Sequence, residues 1–558
     1  MAFSLVAAGE RLAGALKPPL TITPPPAGIR FERDVEVRVR DGTTLRVNVF
    51  RPEASGRYPV LMCAHPYGKD NLPRRVGGRY LPPRNYRILR QPEPLTFSAW
   101  TSWEAPDPGY WVPRGYALVN ADLRGFGHSD GEGAPLSDLE AKDYYDLVEW
   151  AARQPWSSGR VGLNGVSYLA ISQYKVAALQ PPHLRAICPW EGLTDAYRDL
   201  ARPGGIREDG FMVMWSRGLR RHRRPAVDIR EEQLRRPLLD QWWRSLQPAL
   251  PRIEVPALIC ASFSDHSLHS RGSFEAFRRI ASADRWLYTH RGGKWTTYYS
   301  PEALATQSRF FDCFLKDTQT GIPALSPVRL AIHDRGDKPW AVRQEPSWPP
   351  PSVSWTPLYL HAESKDLQPA RATEPAPLAF DTRSGRVCFS WQVAEDVELV
   401  GPMKLRLHLE VQGANDVSLF AGVRKLRRGR EILFEGSYGF GRDMVTKGWQ
   451  KASHRGLDPL LSEPWWPVHT DDVEEKLRPG VIVSVDMALL PSATLFRRGD
   501  VLRLDIQGRW FYPRDPVRGQ FPARYEPSRP GICVLHCGGP FDAHLLVPLR
   551  LAAGRASA

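Results

Sequence analysis

The stretch Val161-Gly-Leu-Asn-Gly165-Val-Ser167-Tyr-Leu-Ala170 decides how the chain is read. Val161 to Asn164 is a short apolar run of the kind that forms a strand buried on both faces. From Ala170 to Leu179 the apolar spacing becomes helical. A serine between such a strand and such a helix sits on a sharp turn that pushes its hydroxyl out of the sheet. Gly165 lets the backbone approach its neighbours closely there. The helix after Ser167 aims free N–H groups and the positive end of its dipole at an oxyanion formed beside the serine. A G-x-S pattern alone is common, but between a strand and a helix it marks Ser167 as a nucleophile rather than an ordinary turn serine.

Outward from this turn the pattern repeats. Upstream, Val35–Val39 and Leu45–Val49 alternate apolar and polar residues around Asp41-Gly42, a β-hairpin. Tyr58–Ala64 and Tyr116–Ala121 are further buried strands, and Glu140–Ala152 has helical spacing. Downstream, Ala186–Cys188, Ala257–Ala261 and Trp286–Thr289 continue the strands, and the helix Pro301–Leu315 closes the unit. Strands alternating with helices predict an α/β chain with a parallel, doubly wound sheet, an α/β-hydrolase fold. Residues 195–250 break the alternation with Arg-rich helical segments, including Glu231–Leu246 with Trp242 and Trp243. They are expected as a helical cap over the strand carboxyl ends, with residues 68–112 as a second excursion. Ser347–Ser352 reads as a linker. Beyond Trp355, strands such as Leu405–Val411 and Val501–Gln507 alternate throughout, which predicts a β-sandwich of jelly-roll type. The expected domains are 30–194 with 251–345 (catalytic), 195–250 (cap) and 355–550 (sandwich).

A nucleophilic serine needs a base, and the base needs an orienting acid. In this fold both follow the serine in the chain, each on a loop after a strand. Ala257–Ala261 runs into Asp265 and Trp286–Thr289 into His290, which makes Ser167, Asp265 and His290 the expected triad. His266 and His269, on the Asp265 loop, suggest a metal pair by spacing, but no carboxylate cluster completes one, so rim or structural roles are expected. His65 precedes the serine, and His183 follows its helix beside Pro181-Pro182. For the oxyanion hole, the Tyr168 N–H is the first expected donor. The second comes from His65-Pro-Tyr-Gly-Lys69, where Pro66 has no N–H to offer and the Tyr67 phenol is a plausible donor, a packing aromatic being the other reading.

Composition narrows the classes. At 558 residues the chain needs two or three domains, and 19 Trp are ample for cores. The net charge of +14 is spread along the length, so nucleic acid is not an expected partner. Seven scattered Cys argue against a disulfide framework and a structural zinc. Met1–Arg11 reads as a helix rather than a signal peptide, and no run is long and apolar enough to span a membrane. The expectation is a cytoplasmic protein with no cofactor and no metal, acting on a small-molecule ester or amide. Its oligomeric state is open, a homodimer included.

At these residues the chain resembles the X-Pro dipeptidyl-peptidase-like (CocE/NonD) hydrolases, the group of cocaine esterase, α-amino-acid ester hydrolases and glutaryl acylases. The resemblance rests on Pro66-Tyr-Gly-Lys69, Asp122-Leu-Arg-Gly-Phe-Gly-His-Ser-Asp-Gly131, Glu149-Trp-Ala-Ala-Arg-Gln-Pro-Trp156 and Gly165-Val-Ser-Tyr168, and covers most of residues 35–315. It implies Ser167 as nucleophile, Tyr67 as phenolic oxyanion donor and a C-terminal jelly roll. Two departures stand out. Ala170 replaces a usual Gly, and Thr289-His-Arg-Gly-Gly-Lys-Trp295 differs from the usual Gly-x-Trp-x-His segment. The Asp122–Gly131 loop, with Asp122 and Arg124, is expected to pack the sheet end. The expected activity is cleavage of a carboxylic ester or amide through an acyl-enzyme. The alternatives are an X-Pro dipeptidyl-peptidase or acylase, with Glu191, Glu208 or Asp209 holding a free amine, and a non-catalytic binding module.

Overall fold

The computed structural model describes residues 9, 19–83, 86, 94–222, 225–436, 442–512 and 523–552. The helix expected over Met1–Arg11 therefore lies, apart from Gly9, outside the described residues. Ten strands form the first sheet: β1 (Ile29–Arg38), β2 (Thr44–Pro52), β3 (Tyr58–His65), β4 (Ala117–Asp122), β5 (Ser157–Val166), β6 (Leu184–Trp190), β7 (Ala257–Ser262), β8 (Arg285–His290), β9 (Val328–Ile332) and β10 (Ala341–Glu345). Their spatial order is β10-β9-β8-β7-β6-β5-β3-β4-β2-β1. The run from β9 to β4 is parallel, and β10 at one edge and β2 and β1 at the other are antiparallel. β4 and β7 are buried at every residue, as strands covered on both faces must be. This is the doubly wound α/β-hydrolase sheet expected from the alternation.

The helices that matter for the site are α1 (Asp138–Ala152), α2 (Tyr168–Ala177), α3 (Phe211–His222), α4 (Ile229–Arg235), α5 (Gln241–Ser245), α6 (Ser270–Arg279), α7 (Lys294–Tyr298) and α8 (Pro301–Lys316). All ten residues of α2 are buried. The helix expected over Glu231–Leu246 is instead two short ones, α4 and α5. Pro237 offers no N–H to continue the first, and Asp240 caps the second by accepting from the Trp243 N–H at 3.1 Å. The Asp122 and Arg124 side chains do hold the sheet end. Arg124 forks onto Asp143 at 2.7 Å, and Asp122 accepts from the Lys69 and His128 N–H groups.

From Ser354 to Leu551 the chain is strands paired into a second, mostly antiparallel sheet system. The strand Val397–Gln412 alternates buried and partly exposed residues from Met403 to Val411 and pairs antiparallel with Val483–Phe496. Its inward residues share one core with Phe389, Leu419, Leu504 and Leu545. This unit is packed against the hydrolase. Arg198 pairs with Asp471 at 2.9 Å, and the His333 N–H donates to the Ala493 carbonyl at 3.0 Å. All seven cysteines are free thiols, and among the described residues no helix is long and apolar enough to cross a membrane.

Candidate active site

β5, β6, β7 and β8 run in parallel, so their carboxyl ends meet at one edge of the sheet. Val166 lies opposite Trp190, Trp190 opposite Cys260, and Ser262 opposite His290. Ser167 leaves β5 with φ 60° and ψ −115°, a conformation that L residues avoid and that costs about 1–3 kcal/mol. Its backbone is tied on both sides: the Ser167 N–H donates to the Trp190 carbonyl, and the Val166 N–H to the Glu104 carbonyl. Close packing demands the glycine before it. Gly165 has φ 151°, and a Cβ there would meet the Leu169 side chain at 2.5 Å. Ala170 is accommodated because Gly192 faces it, where a Cβ would lie 2.9 Å from that of Ala170.

The Ser167 hydroxyl lies 3.2 Å from His269 Nε2. His269 Nδ1 lies 2.5 Å from Asp265 Oδ2. The structure thus joins Ser167 and Asp265 through His269, not through His290. Asp265 and His269 are one helical turn apart, on the turn that enters α6: the Asp265 carbonyl accepts from the N–H groups of Leu268, His269 and Ser270. All three side chains are buried. With the ionised Asp265 carboxylate as acceptor, Nδ1 is assigned the imidazole proton and Nε2 a lone pair facing the serine; the Lys294 ammonium 2.9 Å from Nδ1 is then a charged neighbour of the ring, not a hydrogen-bond donor to it. Burial and the nearby Lys294 ammonium lower the His269 pKa below its ordinary value, which keeps the ring neutral. Burial pushes the Asp265 carboxyl up, but Lys294 and then His269 outweigh it and leave it far down in the acid range.

His290 ends β8 at the expected place but has other partners. Its Nδ1 accepts from the Gly292 N–H at 3.2 Å, so Nε2 carries the proton, which it donates to Glu191 Oε1 at 3.0 Å. Both ring nitrogens are engaged, and its face stacks on Trp190. His266, the other half of the suggested metal pair, turns the opposite way and reaches the Pro491 carbonyl of the sandwich at 3.3 Å.

The sequence reading missed His269 because it looked for the base only at a strand exit. The Asp265…His269 spacing of one helical turn was the available signal. It also passed over two further groups. Lys294 opens α7 and lies 2.5 Å from Asp265 Oδ2 and 2.9 Å from His269 Nδ1. Glu104, at φ 63° on the loop beside the elbow, accepts from the Trp295 indole at 3.2 Å. Burial raises its pKa to about 8 despite Lys294.

Tyr67 follows β3, with its ring edge-on to Tyr168 at 6.0 Å. Its hydroxyl accepts from the Trp215 indole N–H of α3 at 3.2 Å and, among the described residues, donates to nothing. Burial and then Glu104 push the phenol far above its usual value, so the O–H stays protonated. The Tyr168 N–H belongs to the first turn of α2, where backbone donors have no intrahelical acceptor. The Tyr168 hydroxyl is occupied elsewhere, donating to Glu140 at 2.6 Å. Of the aromatic cap residues, Trp215 thus borders Tyr67, whereas Trp243 is fully buried against Tyr197.

Among the described residues, Asp34, Asp70 and His128 are the one set spaced to share a metal ion, but the Lys69 ammonium already bridges the two carboxylates. A cleft of about 970 Å³ opens at Asp334, Trp340, Asp396 and Arg497, away from Ser167, and Arg427 and Lys425 already hold its Asp334.

Comparison with known proteins agrees with this architecture. Residues 41–223 match the model of the X-Pro dipeptidyl-peptidase (S15 family), and residues 320–539 match the X-Pro dipeptidyl-peptidase C-terminal non-catalytic domain. The chain is similar to cocaine esterase from Rhodococcus sp. (strain MB1 Bresler), 29% identical over 59% of this chain and 62% of that protein, so the match spans about three fifths of that relative. A crystal structure of a CocE/NonD family hydrolase from Staphylococcus aureus is 37% identical, covering 96% of this chain and 99% of that one, with a TM-score of 0.88. An α-amino acid ester hydrolase shares the fold at 15% identity, with a TM-score of 0.67 over 94% of this chain and 97% of that one.

Proposed function

Because the chain belongs to the CocE/NonD family of serine hydrolases, we propose that it cleaves a small carboxylic ester, or an amide, through an acyl-enzyme on Ser167, with His269 as base and Asp265 as its orienting acid. One observation carries this reading: the unbroken chain from the Ser167 hydroxyl to His269 Nε2 and from His269 Nδ1 to Asp265. As the Ser167 oxygen attacks the carbonyl carbon, its proton passes to Nε2, and the Asp265 carboxylate stabilises the imidazolium that forms. The carbonyl oxygen becomes an oxyanion held by the Tyr168 N–H and the Tyr67 hydroxyl, whose proton has no competing acceptor among the described residues. His269 then gives its proton to the leaving alkoxide or amine. A water deprotonated by the same ring releases the acid and restores Ser167.

The ester reading is preferred over dipeptide release because most of the candidate amine-holding carboxylates are occupied. Glu208 accepts from the N–H groups of Gly210, Phe211, Met212 and Arg524, Asp209 is held by Arg207 and Arg230, and one oxygen of Glu191 is bound to His290. The test is turnover of an acetyl ester beside an X-Pro anilide, with fluorophosphonate labelling of Ser167. Ser167→Ala should abolish both turnover and labelling, and Tyr67→Phe should lower ester kcat/KM by roughly 10²-fold. Ester hydrolysis by Ser167→Ala at the wild-type rate would remove the proposal.

A further inference from the structure

Serine, imidazole and carboxylate suffice for acyl transfer, yet a fourth ionisable group is built into this chain. Lys294 is 3% exposed and ion-paired at 2.5 Å to the same Asp265 oxygen that His269 uses. Its ammonium is also 2.9 Å from His269 Nδ1. It opens α7, where the helix dipole disfavours a cation, so helix stability does not account for it.

We propose that Lys294 is a positioning residue of the hydrolytic site: its ammonium, ion-paired to the Asp265 oxygen that His269 Nδ1 uses, pins that carboxylate so that the ring keeps Nε2 toward Ser167. This rests on the acyl-transfer reading above and adds to it.

The surroundings require such a cation. Facing Lys294 are Asp265 from the β7 loop, Glu191 after β6, Glu104 from the loop beside the elbow, and His269 before α6. Asp265 Oδ1, Glu191 Oε2 and Glu104 Oε2 are all buried without a hydrogen-bond partner among the described residues. Carboxylates so placed protonate unless a cation compensates them. Glu104 does shift toward its neutral form, whereas Asp265, the one touching Lys294, is held ionised. Burial and then Lys294 disfavour the charged form of His269, while Asp265 and Glu191, which also face it, favour that form. Burial and Lys294 outweigh the two carboxylates, and the ring gives up its second proton more readily than an ordinary histidine.

The experiment is the pH dependence of kcat/KM and of the fluorophosphonate labelling rate in wild type, Lys294→Met and Lys294→Arg, with thermal unfolding as the folding control. Wild type should lose activity only below the ordinary histidine range. Lys294→Met should move that acid limb up by about one pH unit or more, with lowered kcat and little change in KM. Lys294→Arg, which keeps the charge, should return the limb toward its wild-type place. A folded Lys294→Met with an unmoved limb overturns the proposal. If neither variant folds, a wild-type acid limb at or above pH 6.5 overturns it, and one clearly below supports it. Failure of a fluorophosphonate to label wild type would instead sink the acyl-transfer reading itself, so the two failures are distinguishable.

Discussion

Of the buried histidines at this sheet edge, His269 and His290 are the two the base could be, and only their hydrogen-bond partners separate them. A base must present a lone pair to the nucleophile. His269 does so because Asp265 occupies its Nδ1 proton, whereas the Nδ1 of His290 accepts from Gly292 and its Nε2 proton is given to Glu191. We therefore expect His269→Ala to lower kcat by about 10⁴-fold or more while the fold persists. His290→Ala should leave most turnover intact but cost about 1–3 kcal/mol of stability, since Glu191 loses its donor; esterase assays and thermal unfolding of the two variants separate these outcomes. The pH profile follows from the same geometry. The base works only when deprotonated, and burial with Lys294 lowers the His269 pKa, so kcat/KM should stay level as pH falls past 6.5 and drop only when that lowered value is crossed. The placing of Ser167 and Asp265 at one sheet edge was legible in the sequence because each sits on a strand-to-loop transition with few local solutions. The histidine that joins them was not, because the expectation of a histidine at the end of β8 is met by His290, a residue of the right type in the right place with its nitrogens already taken. Tautomers and partners are decided by neighbours 25 or 99 residues away in the chain, such as Lys294 and Glu191.

The strand–turn–helix unit β5–Ser167–α2 was readable for a different reason. Its conformation is forced by local sterics, and Gly165 declares it. Gly165→Ala would place a methyl 2.5 Å from Leu169 at a φ of 151°. It should give a protein that unfolds many degrees earlier or is recovered insoluble, and any soluble fraction should fail to label with a fluorophosphonate. The cap helices were readable in composition but not in extent. α4 and α5 look continuous when only apolar spacing is counted, and Pro237 with the Asp240 cap divides them. α3 carries a consequence that its sequence does not display. Its Trp215 indole donates to the Tyr67 hydroxyl, which turns the phenolic proton away from that indole. Trp215→Phe keeps the ring and removes the donor, so kcat/KM should fall by roughly tenfold, the worth of one hydrogen bond. The same substitution in a Tyr67→Phe background should change little, since the two act through one hydroxyl.

At the scale of the whole molecule, the sandwich is a structural wall of the active site rather than an appendage. The loop between β8 and α7 joins His290, the last residue of β8, to Lys294, the first of α7, and Arg291 opens it. That guanidinium is fully buried, donates to the Met444 and Val445 carbonyls of the sandwich, and stacks over Phe434 at 4.3 Å. Burial lowers its pKa to about 10 even with Asp443 and Glu435 nearby, so it remains charged at neutral pH. On the other side of the triad, His266, next to Asp265, reaches the Pro491 carbonyl. The second domain therefore grips both segments that hold the proposed catalytic machinery. Alternating strands announced the sandwich, but nothing in its own pattern shows which loops it touches, because those contacts join residues more than 150 apart in the chain. Arg291→Leu removes the donors, leaving two buried carbonyls unsatisfied, and should cost about 2–4 kcal/mol. If the sandwich merely followed the hydrolase, such a loss would lower the unfolding temperature and leave kcat alone. Because Arg291 tethers the segment that positions Lys294, and through it Asp265 and His269, kcat should fall together with the melting temperature. A control change at the exposed Arg371, on the sandwich but far from the tether in sequence, should move neither. Thermal unfolding and ester kinetics on the same three preparations distinguish a wall that shapes the site from a domain that only accompanies it.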